Sequence, residues 1–176
     1  MILLGLAVGK GSTPVDDWFQ ELGAQHRELK YLLVFTAGRL VVGLCVVVFL
    51  AALVQRRWRL ALITVVTPAV AVLAARVAKQ LFGRVKEGGL CYPSGHTTAT
   101  FVVLAMVVLL LGPKVWVLVA AAVVMVLAVI GQAVAYHYFT DAIGALLLGS
   151  ACVCAAVSLS RLDTCQPKCE LDHSGR

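Results

Sequence analysis

Apolar residues run through this chain in long blocks, and polar ones gather in short breaks between them. Residues 40–55, 60–75, 88–113, 115–140 and 142–160 contain no Asp, Glu, Lys or Arg. A helix needs about 20 apolar residues to cross a bilayer, within a range of about 17–25. The blocks predict complete spans over about 31–54, 60–78, 95–111, 115–135 and 140–160. The opening Ile2–Gly9 stretch is too short to span. It reads either as the outer end of a truncated first span or as a short interfacial segment. Residues 10–30 are polar, and Asp16–Leu22 fits a short helix lying on the membrane surface. The expected fold is therefore all-α: a multi-pass transmembrane bundle of five complete spans with a short or truncated N-terminal helix. It forms one membrane-embedded domain over 1–160, followed by a polar tail over 161–176.

Composition sharpens this reading. Of 176 residues, 61% are hydrophobic and only 14% charged, against about 45–50% and 25% in soluble domains. Disorder is excluded. The net charge of +6 suits loops beside an anionic leaflet better than nucleic acid, since no basic stretch carries interleaved aromatics. Arg56, Arg57 and Arg59 follow the first complete span and mark the cytoplasmic side. Parity then places Lys114 and the tail on that side, and the 79–93 loop and the His137 connection on the other. Cys165 and Cys169 form a lone C-x3-C without a second ligand pair, so no metal site is expected. Pro68 falls mid-span, where membrane helices tolerate it.

Three polar sets stand out: Lys79-Gln-Leu-Phe-Gly-Arg84-Val-Lys86, Pro93-Ser94-Gly95-His96-Thr97-Thr98 and His137-Tyr-Phe-Thr-Asp141. Span parity brings all three to one face of the membrane. Lys79, Arg84 and Lys86 offer an anion site, Arg as a fork and Lys as a point charge. Ser94-Gly95-His96 opens a helix whose free N–H groups favour an anion, with Gly95 permitting close approach and Ser94 adding a hydroxyl. If the last helix has already begun, His137 and Asp141 are i and i+4 on one face. A carboxylate on one ring nitrogen frees the other to attack, leaving His96 to protonate a leaving group. Arg39, about 12 Å into the first complete span, reads equally as a snorkelling residue or as a second cation reaching the site.

The combination Pro93-Ser94-Gly95-His96, His137-x3-Asp141 and an upstream Lys79 resembles the type 2 phosphatidic acid phosphatase superfamily, over roughly residues 31–160. The resemblance implies a helical core and an extracytoplasmic site in the cell membrane. It also implies metal-independent hydrolysis of an isoprenoid or phosphatidyl-type lipid phosphate or diphosphate, with no cofactor. Carried over, His137 would form a phosphohistidine, Asp141 would orient it and His96 would act as general acid. Lys79, Ser94 and the Gly95 backbone would hold the phosphate. The family pattern K-x6-R-P here ends in Lys86-Glu87, and the S-R before the nucleophile becomes Ile130-Gly131. Arg84 is the expected substitute ligand. The alternative is a non-catalytic binder of lipid-phosphate headgroups. A transporter is disfavoured, because the middles of the later spans hold no charged residue. Oligomeric state and the identity of the lipid chain leave no motif.

Overall fold

The computed structural model describes residues 1–160; the tail, with Cys165 and Cys169, lies outside them. Within that range the chain is a helical bundle. Two short helices, α1 (Ile2–Val8) and α2 (Pro14–Gln25), precede a 3₁₀ segment, Arg27–Thr36. Five apolar helices follow: α3 (Gly38–Val54), α4 (Trp58–Phe82), α5 (Gly95–Leu111), α6 (Val115–Ala135) and α7 (Phe139–Leu159). A minimal antiparallel hairpin, β1 (Val85–Lys86) with β2 (Gly89–Leu90), joins α4 to α5.

Four segments are long and apolar enough to cross a membrane: Arg27–Val54, Trp58–Phe82, Val115–Ala135 and Phe139–Leu159. The fifth, α5, has 17 residues, the lower end of the spanning range. It packs against α3, α4, α6 and α7, so its environment is protein more than lipid. Leu62, Leu73, Val119 and Val126 project outward and exposed, as a bilayer-facing surface requires. Val48, Ala52, Leu60, Ala71, Val102 and Met106 knit α3, α4 and α5 into one apolar cluster. Met125, Ala128, Val129 and Ala142 knit α6 to α7 in a second.

Several threonine hydroxyls inside these helices are satisfied by the preceding turn. Thr98 and Thr100 donate to the carbonyls of Ser94 and His96 one turn back. Pro68 lacks the N–H that would reach the Thr64 carbonyl four residues earlier. That oxygen accepts from Cys45 Sγ instead, at 3.2 Å, and α4 runs through the proline without a break. Arg57 donates to the carbonyls of Leu109 and Leu110, and Arg59 to that of Ser160. The basic cluster thus caps the C-terminal ends of α5 and α7, where the helix dipole favours cations.

Two boundaries differ from the sequence expectation. The first complete span is broken at Ala37, whose extended backbone (φ −60°, ψ 122°) separates the 3₁₀ segment from α3. The break lets that segment lie along α6, where Gly131 admits it. A Cβ at 131 would sit 2.7 Å from the Leu32 carbonyl carbon. The expected 79–93 loop is shorter, because α4 continues to Phe82 and ends on Gly83 in the left-handed region (φ 60°). Lys79 therefore sits in the last helical turn rather than in a loop.

Candidate active site

The three polar sets meet at the end of the bundle where α4 and α6 finish and α5 and α7 begin. Ser94 is the N-cap of α5, and its hydroxyl oxygen accepts from Thr97 N and Thr97 Oγ1. The Ser94 N–H donates to the Asp141 carbonyl at 3.2 Å, which fixes the start of α5 against the start of α7. Space beside Gly95 is open where a Cβ would stand. His96 and His137 line one pocket of about 520 Å³, with Leu33, Thr36, Ala37, Gly38, Gln132 and Tyr136 as the other walls.

His137 lies just outside α7, which begins at Phe139 with Tyr138 as its N-cap. The same-face i,i+4 argument does not apply, because the last helix has not started at His137. Capping chemistry brings the pair together instead. Asp141 Oδ2 accepts from the Tyr138 N–H at 3.1 Å and stands 3.6 Å from His137 Nδ1. That is beyond hydrogen-bond length, and His137 Nδ1 is buried without a partner, as is Gln132 Oε1. The His137 backbone is held firmly, its N–H donating to Gln132 O at 2.9 Å. Gln132 also donates from Nε2 to Thr36 Oγ1.

Arg84 departs most from expectation. Sequence reasoning gave it an open fork for phosphate, but it is 1% exposed and engaged on every edge. Nη1 donates to Asp141 Oδ1 (2.6 Å) and Thr140 Oγ1 (2.7 Å). Nη2 donates to Asp16 Oδ2 (2.9 Å) and Gly11 O (2.6 Å), and Nε also donates to Gly11 O. The guanidinium lies 4.4 Å from the centre of the Tyr138 ring. Asp16 completes the network by accepting from Thr140 N and Oγ1 and, within its own capping box, from Thr13. Burial pushes the Asp16 carboxyl upward, but the Thr140 and Thr13 N–H groups and Arg84 outweigh it and hold it below its ordinary value.

The remaining cations are also placed. Lys79 Nζ donates to Leu90 O at 2.9 Å, tying α4 to the hairpin. Lys86 Nζ donates to Gln20 Oε1 at 2.7 Å and lies 5.1 Å from the centre of the Tyr138 ring. Burial lowers the affinity of Lys86 for its proton, and Glu87, Asp141, Cys91 and Asp16 partly restore it. Cys91, buried behind Asp141, has its thiol pushed up to about 12, by burial first and the nearby carboxylate second. Arg39 is exposed on α3 and does not line the pocket.

The structure thus brings His96 and His137 into one pocket, with Asp141 behind His137. It leaves Lys79, Lys86, Ser94 and Gly95 around that centre and buries Arg84 beneath it. Sequence reasoning missed Asp16, Gln20, Thr140 and Gln132. Gln20 Nε2 donates to His137 O at 3.1 Å and to Ala133 O, so α2 straps the connection between α6 and α7. The one legible signal was Thr13-Pro-Val-Asp16, a capping-box pattern with proline at the first helical position.

No family model, curated protein or solved structure matches the chain.

Proposed function

We propose that this protein hydrolyses a membrane lipid phosphate or diphosphate, of isoprenoid or phosphatidyl type, without a metal and through a phosphohistidine on His137. The observation that carries the reading is the meeting of His96 and His137 in one pocket beside the N-terminus of α5. His137 Nδ1 faces the Asp141 carboxylate, which leaves Nε2 as the attacking atom. Its lone pair forms the N–P bond as the P–O bond to the lipid breaks. His96 delivers a proton to the departing oxygen, then removes one from the water that cleaves the N–P bond. Lys79, Lys86 and the free N–H groups at Gly95 and His96 supply positive potential for the phosphoryl oxygens. A lipid substrate also suits the groove of about 470 Å³ between α3, α4 and α5. Its walls include Val41, Phe49, Pro68 and Val72, with Ala99 one turn below His96 and Arg76 also on its lining.

A second reading, a non-catalytic binder of lipid-phosphate headgroups, is favoured by one observation: Arg84 is closed off within the protein. Inorganic phosphate release by the purified protein from a panel of lipid phosphates separates the two. Release that His137→Ala abolishes supports the phosphatase. Binding of the same lipids without release, unchanged in His137→Ala, supports the binder and overturns the first reading. On the phosphatase reading, the site faces away from the cytoplasm in the cell membrane, opposite the Arg57/Arg59 end.

A further inference from the structure

Asp16 sits far from the pocket in sequence, yet it is fully buried at the end of the bundle that holds the histidines. It shares the Arg84 guanidinium with Asp141: Nη2 goes to Asp16 at 2.9 Å and Nη1 to Asp141 at 2.6 Å. Two carboxylates around one cation leave a net charge of about −1 on the network. Asp141 has committed Oδ1 to Arg84, while Oδ2 carries only the Tyr138 N–H and faces His137 Nδ1. Were Arg84 paired with Asp141 alone, the pair would be neutral and Oδ2 would attract an imidazole proton less strongly. By taking the other edge of Arg84, Asp16 leaves more of the negative potential at Asp141 Oδ2. It also fixes Thr140, the residue between the N-cap of α7 and Asp141, through both N–H and hydroxyl.

We infer that Asp16 is a positioning residue for the reaction at His137: by sharing the Arg84 guanidinium and fixing Thr140, it keeps Asp141 Oδ2 aimed at His137 with its negative potential only partly neutralised. This rests on the phosphatase reading above. α2 then has a role beyond lying on the membrane surface: it delivers the second counter-charge of a buried Asp–Arg–Asp relay. Three residues carry the relay, and only Asp141 approaches the histidine.

The test is lipid-phosphate turnover by the full chain in micelles as a function of pH, comparing unaltered protein, Asp16→Asn and Asp16→Glu. Asp16→Asn should lower kcat about tenfold, the worth of one unit in the basicity of a reacting group, with KM little changed. It should also move the acid limb of the kcat/KM profile to lower pH, because the imidazole then faces less negative potential; a merely structural role lowers activity without moving that limb. Asp16→Glu, which keeps the charge, should recover part of the kcat loss and of the displaced limb. If Asp16→Asn does not fold, Asp16→Ser, smaller and still an acceptor, takes its place in the same comparison. Unchanged kcat in the neutral variant, a loss in KM alone, an acid limb that stays in place, or a Glu variant that recovers nothing overturns the inference. Absence of turnover by unaltered protein overturns the phosphatase reading itself, and this inference with it.

Discussion

Replacing Arg84 with methionine distinguishes a buried clamp from a phosphate ligand. The substitution keeps much of the side-chain length and removes a guanidinium that donates to Gly11 O, Asp16, Thr140 and Asp141. Asp16 and Asp141, both fully buried, would then lie near each other with no cation between them. Hydrogen bonds to charged groups contribute about 1.5–3 kcal/mol each, but those made by one side chain do not add. Deleting one partner of a buried ion pair costs about 3–5 kcal/mol in total, and we take about 4 kcal/mol here. At about 2–4 °C per kcal/mol for a chain of this size, the unfolding midpoint should fall by roughly 10 °C. Thermal unfolding in detergent micelles, followed with a thiol-reactive dye in a background whose other cysteines are replaced by alanine or serine, measures this through Cys91, which is 3% exposed until the bundle opens. Arg84→Lys should lie between Arg84→Met and the unaltered protein, since it keeps the charge but cannot bridge both carboxylates. An Arg84→Met protein within about 1 kcal/mol of the original, with its loss confined to phosphate release, would refute the clamp and restore Arg84 as a ligand.

Three further outcomes are expected. Because Asp16 is held below its ordinary value of 3.8, its contribution is complete above that pH and lost as pH falls through the lower folded value; the unfolding midpoint followed from pH 7 to 2 should show this loss, and Asp16→Asn should flatten it. Gly131→Ala should destabilise by about 1–3 kcal/mol, since its methyl would meet the Leu32 backbone at 2.7 Å. Gly43→Ala, with nothing within 4 Å, is the control, and equal effects on thermal unfolding would contradict the close packing. Leu90→Cys, on the exposed second strand of the hairpin, should react with an impermeant maleimide on intact cells; labelling only after lysis would invert the orientation.

The helices were legible because lipid-facing and core-facing surfaces are both apolar, so length alone defines a span. The α5 and α6 boundaries, 95–111 and 115–135, coincide with the sequence expectation, since Ser94 caps one start and Gly112-Pro113-Lys114 separates the two. The break at Ala37 was not legible. Nothing in Val34-Phe35-Thr36-Ala37 disfavours a continuous helix. The cause is tertiary: the 3₁₀ segment leans on Gly131, and Thr36 accepts from Gln132. The end of α4 was also obscured, because a polar run such as Lys79–Lys86 looks the same whether its first turn is helical or not.

For the site, parity and motif order were enough to bring His96 and His137 to one face, because both sit at helix beginnings or ends. They could not say which cation is neutralised internally. The partners of Arg84 lie 57 positions later at Asp141 and 68 positions earlier at Asp16, and no local pattern links such distances. Positions 86 and 131, where the sequence differs from the pattern it resembles, share one physical account. At position 131 the space an arginine side chain would need is filled by the Leu32 backbone. At position 86 the lysine is tied to Gln20 on α2. Both occupants belong to the segment between α1 and α3, of which the sequence reading took Gln20 for part of a surface helix and Leu32 for the start of the first complete span. In this chain that segment enters the site region, braces the His137 connection through Gln20 and supplies the carboxylate that completes the Arg84 clamp. The N-terminal strap therefore acts at both positions, and variants at Asp16, Gln20 or Gly131 should be read together and not as independent lesions.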